Sequence, residues 1–130
     1  MDRFLQSLEG TDFDFVDYVV VYDRKYDSGL IFLKNSLRDD SVTIVPIIYA
    51  MDHNACLGYA KLEYREDGVA AYCKFNDSDI GQVAKNLVVD ERALDISFFA
   101  LRIEREDGVI KSGRIRAVIL TMAKPKILED

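Results

Sequence analysis

The chain has one histidine, His53, two cysteines, two prolines and no apolar run approaching the length of a membrane span. Each scarcity removes a class of function. With a single imidazole, any serine or cysteine nucleophile that needs such a base must recruit His53. One histidine and no Asp-x-Asp-x-Asp-Gly loop leave no metal-ligand spacing, so no metal is expected. Cys56 and Cys73 form no C-x-x-C pair, which argues against a redox motif and a zinc knuckle. Cys73, among apolar neighbours, reads as a core residue, whereas Cys56 lies close to the histidine and keeps a chemical role open. Only Pro46 and Pro125 are present and low-complexity sequence is absent, so no linker divides the chain. No Gly-rich phosphate loop follows any strand, and no cofactor is implied. The N-terminus lacks the basic and apolar regions of a secretory signal, so a soluble protein not exported by that route is expected. The formal charge is −6 with a pI near 4.8, and the basic residues are scattered among the acids. Neither nucleic acid nor an anionic membrane is therefore an expected partner.

What is present suits one hydrophobic core: 130 residues, 49% of them apolar, can bury a single core and are too few for two ordinary domains. The pentapeptide Arg-Glu-Asp-Gly-Val occurs at residues 65–69 and again at 105–109, each time after an alternating segment. Asp-Gly accepts the positive φ of a tight turn, so both copies predict a hairpin. Ile80, Val83, Ala84, Leu87 and Val88 follow Asp77, Ser78 and Asp79 at helical spacing, which predicts a helix over 77–88. Enrichment in β-branched and aromatic residues predicts strands at 15–22, 44–49, 57–64, 69–75, 95–104 and 114–122. Residues 30–37 read as either a short strand or a helical turn. The expected fold is α+β, a small antiparallel β-barrel flanked by one or two helices.

Among residues able to do chemistry, Ser97 shares a strand face with Phe99, Leu101 and Ile103, so it is expected to point to the apolar side. A hydroxyl there would bond a backbone carbonyl or a catalytic base, and both remain open. The carboxylates gather at turns (Glu66, Asp67, Glu106, Asp107) and at the helix start, where solvation or capping explains them. The aromatics fall mostly on strand positions and read as core filling.

The segments Val45-Pro-Ile-Ile-Tyr49, Leu57-Gly-Tyr-Ala60 and Glu63 to Asp77, then a helix from Gly81 to Val89, Ala93-Leu-Asp-Ile-Ser97 and Ile115-Arg-Ala-Val-Ile-Leu120, occur in this order. In that order they resemble the tailed-phage prohead (head-maturation) serine proteases. Tyr22-Asp-Arg to Gly29 and Phe32-Leu-Lys-Asn-Ser36 echo the family's opening, so the likeness runs from about residue 17 to Pro125. The motifs are short, and their specificity lies in order and spacing.

The resemblance implies an assemblin-like barrel over residues 17–130 preceded by an N-terminal arm over 1–16. It also implies a serine nucleophile at Ser97. The family's histidine falls on Met51, counted without gaps either back from Leu57-Gly58 or forward from Val45-Pro46, and its late-strand acid falls on Ala117. The serine of that late strand falls on Ile119. Methionine accepts no proton and alanine orients no imidazole, so this alignment implies a pseudoprotease. The role it suggests is a capsid decoration or cement protein in the phage head, made in the host bacterial cytoplasm, with the major capsid protein as partner and self-association open. Phe4, Leu5 and Leu8, with Phe13 and Phe15, are the docking-arm candidates; packing of these side chains on the barrel is the other option. Two alternatives stand: an active maturation protease with Ser97 as nucleophile and His53 as displaced base, and a non-catalytic head-assembly factor.

Overall fold

The computed structural model describes residues 13–26, 28–50 and 52–121. Seven strands enter one sheet: β1 (Phe15–Val21), β2 (Ile31–Phe32), β3 (Ile44–Tyr49), β4 (Asp52–Arg65), β5 (Gly68–Phe75), β6 (Asp95–Glu106) and β7 (Val109–Thr121). The order is β1-β5-β4-β3-β7-β2, with β6 on the other side of β7. The sheet curls as a half-barrel, and β6 returns into contact with β1 without pairing to it. Two pairings depart from the all-antiparallel expectation. Both β2 and β3 run parallel to β7, at Ile31↔Val109 and at Ile47↔Val118. The long connections before β7 return the chain in the same direction, so a parallel edge becomes the available one.

The concave side holds the core, with Val20, Leu37, Ile47, Val69, Phe75, Ile115, Val118 and Leu120 all essentially excluded from water. Side chains of this size each contribute about 1.5–3 kcal/mol on burial. Residues 30–37 resolve into the two-residue β2 followed by turns that deliver Leu37 to this core.

The helix is shorter than its pattern. α1 spans Asp79–Lys85, capped by Ser78, whose Oγ accepts from the Gly81 amide at 3.1 Å, and it continues as a π-turn over Asn86–Asp90. Ala84 and Val88 face the core while Ile80 and Val83, expected inside, are exposed.

The repeated pentapeptide folds in two ways. In the second copy, Asp107 (φ 52°) and Gly108 (φ 82°) form the two-residue turn between β6 and β7, as Asp-Gly predicts. In the first copy Arg65 pairs with Gly68, so Glu66 and Asp67 make the turn and neither has a positive φ. Gly68 is the first residue of β5, and a Cβ there would lie 2.1 Å from the Val20 carbonyl oxygen of β1. Glycine is needed in one copy for backbone conformation and in the other for the close approach of a neighbouring strand.

On the face shared by β1, β4 and β5, Arg65 donates to the hydroxyls of Tyr18 (3.1 Å) and Tyr72 (2.8 Å), pairs with Glu63 and lies over the Tyr18 ring. These contacts tie the outer strand β1 to the sheet. Phe13 and Phe15 belong here rather than to an arm. Phe13 packs edge-on against Tyr72, and Phe15 pairs with Cys73 as the first residue of β1. Phe4, Leu5 and Leu8 lie outside the described residues, as does Met51. Among the described residues no helix is long and apolar enough to cross a membrane.

Candidate functional site

Ser97 lies near the start of β6, opposite Ile119 of β7. The period of two holds as far as Leu101, but the face is reversed. Ile96 is buried and Phe98 packs on the core, whereas Ser97 is half-buried on the convex side with Phe99 and Leu101, which are 42% and 45% exposed; the bulge at Arg102 then turns Ile103 to the face of Gly113 and Leu37. The expectation of a serine pointing into the core is therefore corrected. Both faces of the strand are apolar between Ile96 and Phe99, so alternation alone carries no sign.

Ala117 pairs directly with Phe99, which places it diagonally across from Ser97 at a separation of about 7–8 Å between such positions. His53, expected in a loop, is the second residue of β4 and exposed. Its ring lies 6.5 Å from the Phe99 ring, tilted by 53°. The fold thus brings Ser97, Ala117 and His53 around Phe99 on one convex patch, although they are 20 to 64 positions apart in sequence. Proximity stops short of coupling. Among the described residues no hydrogen bond joins the imidazole to the Ser97 hydroxyl, and the neighbour His53 meets is an aromatic ring. A general base works only within hydrogen-bond reach of the proton it takes, and a carboxylate is needed to hold the imidazole in its working tautomer. Ala117 supplies no carboxylate. Among the described residues no group of three or more His, Cys, Asp or Glu is placed to hold a metal ion.

The two thiols differ sharply. Cys56 is exposed and donates to the Gly58 carbonyl at 3.4 Å, whereas Cys73 is buried in β5. Burial pushes the Cys73 thiol up to about 12, with Asp17 and Asp14 adding to the shift. In the native protein an aromatic disulfide reagent should therefore titrate one thiol promptly, and the second only after denaturation. Equal rates for the two would contradict the packing of β5.

Sequence reasoning missed the character of the convex face. Phe99 and Leu101 are large apolar side chains in solvent on a strand that pairs on one side only among the described residues. The run of alternate apolar residues was the signal, and what it lacked was any indication of which side the core lay on. Strand edges of this kind are commonly blunted, and β6 has two such devices. Its far half carries Arg102, Glu104, Arg105 and Glu106, and Arg102 sits in a bulge with φ 56°.

Comparison with known proteins finds no family model, no characterised protein and no solved structure that matches this chain.

Proposed function

We propose that this chain is a pseudoprotease of the prohead-protease type, a phage head protein that binds the capsid shell and performs no cleavage. The observation that carries the reading is the convex face of β6, where Phe99 and Leu101 stand in solvent beside Ser97, a serine with no bonded base among the described residues. Apolar side chains held outward on a rigid strand are suited to a protein partner, since their burial contributes binding energy without reordering the backbone. The collinear resemblance to the head-maturation proteases names the partner as the major capsid protein, and decoration of the shell as the role. Repetition of one modest contact over a capsid gives high avidity. The acidic chain favours a basic patch on the shell.

The working-protease alternative draws on the proximity of His53 to Phe99 in the same patch as Ser97. One experiment separates the readings. Proheads incubated with wild-type chain or with Ser97→Ala should show the same unprocessed capsid protein on gels, and mass spectrometry of mature particles should find the chain intact. Cleavage by the wild type that Ser97→Ala abolishes would establish an enzyme instead. Presence in proheads but absence from mature heads would identify an assembly factor.

A further inference from the structure

The two copies of Arg-Glu-Asp-Gly-Val place one reactive pair in two unlike settings, at Asp67-Gly68 and at Asp107-Gly108. In an Asp-Gly pair the glycine amide nitrogen can attack the aspartate Cγ, because glycine presents no side chain to obstruct the approach. The new bond closes a five-membered succinimide, and the Cγ hydroxyl leaves with the amide proton as water. A second water then opens the ring. Addition at the main-chain carbonyl breaks its bond to nitrogen, so the chain continues through Cγ and the residue becomes isoaspartate with a free α-carboxylate. Addition at Cγ restores aspartate. Water is the only co-reactant, and nothing is oxidised or reduced.

Because the flanking residues are identical, only the fold can make the two pairs differ. Ring closure requires the aspartate to turn about its own backbone and the glycine amide to be free of an acceptor. Neither condition holds at Asp67. Its carbonyl accepts from the Tyr22 amide at 2.9 Å. Across a trans peptide that bond aims the Gly68 N–H the opposite way, toward β4, where Gly68 pairs with Arg65. The Tyr18 hydroxyl reaches both Asp67 carboxylate oxygens, at 2.9 and 3.1 Å. Gly68 itself is buried between β4 and β1.

Both conditions hold at Asp107. Among the described residues its carboxylate has no hydrogen bond and no ion pair, and neither its carbonyl nor the Gly108 amide is bonded. Only the next peptide is held, by the Ile31 amide on the Gly108 carbonyl at 2.9 Å. Asp107 is exposed at the tip of the β6–β7 hairpin with φ 52°, a left-handed conformation that costs an L residue energy and favours its departure. Turns of this kind open locally far more readily than strands inside a sheet.

We propose that Asp107-Gly108 is a modification site, at which the native chain converts aspartate to isoaspartate, while the fold protects the identical pair at Asp67-Gly68. The exposed α-carboxylate of the product suits an isoaspartyl methyltransferase, which esterifies that group with S-adenosylmethionine. This chemistry is independent of capsid binding, and either can fail without the other.

The test ages the full chain in native buffer and, in parallel, in guanidinium chloride. Isoaspartate at each position is counted by peptide mapping after labelling with an isoaspartyl methyltransferase. In the native chain it should accumulate at residue 107 at least about tenfold faster than at residue 67, the rate factor of one hydrogen bond that must first break. In denaturant the two rates should converge. Asp107→Asn and Asp67→Asn supply a second readout, since asparagine closes the same ring by losing ammonia and also tolerates positive φ. Native Asp107→Asn should gain the mass of an amide turned to an acid, and native Asp67→Asn should do so at least about tenfold more slowly. The proposal is overturned if the native chain isomerises equally at both positions or faster at residue 67. It is equally overturned if residue 107 reacts only in denaturant, or if the difference between the two positions persists there.

Discussion

If the chain docks on phage heads as proposed, replacing Phe99 and Leu101 together with aspartate should abolish its co-sedimentation with them while leaving the domain folded. The two side chains are 42% and 45% exposed on the convex side of β6, so the change removes little from the core. A Phe or Leu that becomes fully covered contributes about 1.5–3 kcal/mol, and these two are already half covered, so their combined further contribution at an interface is about 2–3 kcal/mol. Aspartate adds to that loss the desolvation of two carboxylates without partners, which costs several kcal/mol more. A fall in affinity of at least a hundredfold is expected, together with a circular-dichroism spectrum like that of the wild type and a melting temperature within a few degrees of it. The check is pelleting with purified heads beside a thermal melt. Binding by the double variant equal to that of the wild type would remove the convex face of β6 as the docking surface.

The second large effect separates two glycines in one repeated pentapeptide. Gly68→Ala places a methyl group 2.1 Å from the Val20 carbonyl and 3.1 Å from Tyr18 Cδ2, both in β1. Neither can yield without moving that strand off β5. The cost should reach about 3 kcal/mol, the upper part of the range for overpacking, with a fall in melting temperature on the order of 10 °C. The pairs Val20↔Val69 and Val21↔Gly68, and the bond from the Tyr22 amide to the Asp67 carbonyl, would be the first lost. Gly108→Ala meets nothing closer than the Gly29 carbonyl at 3.2 Å and pays mainly for its φ of 82°, about 1–2 kcal/mol. Urea denaturation of both variants measures the difference. Equal losses would mean that the approach of β1 to β5 is not what requires a glycine at position 68.

Much of the local structure is legible in the chain. Ser78 was readable as a cap because its hydroxyl serves an amide three residues on, and both contacts lie within one turn. The strand over Ile44–Tyr49 was readable from its β-branched run, and the turn at Asp107-Gly108 from the preference of that pair for positive φ. The helix C-terminus was not, because a π-turn over Asn86–Asp90 and the solvent around Ile80 and Val83 depend on what α1 packs against.

The candidate site shows the same division. Ser97, Ala117 and His53 could be singled out by residue type and order, and the alternation of β6 correctly grouped Ser97 with Phe99 and Leu101 but not with Ile103, which the bulge at Arg102 turns to the other face. Which face was inside could not be read. A strand has two sides, and only the curl of the sheet, with Val118 and Leu120 of β7 turned inward, assigns them. The docking of the β2 loop on the β6–β7 hairpin was not legible either, since the Gly113 amide meets the Ser36 carbonyl only in the folded sheet.

The sequence by itself determined that any imidazole-dependent chemistry in this chain rests on His53, and that Ala117 offers no carboxylate. Those are properties of composition and order, which folding does not change. Tertiary structure alone decided that His53 meets the Phe99 ring, that the apolar stripe of β6 faces solvent, and that identical pentapeptides need their glycines for different reasons. Each of those depends on contacts between segments distant in the chain, and such contacts follow from how the whole sheet curls around its core.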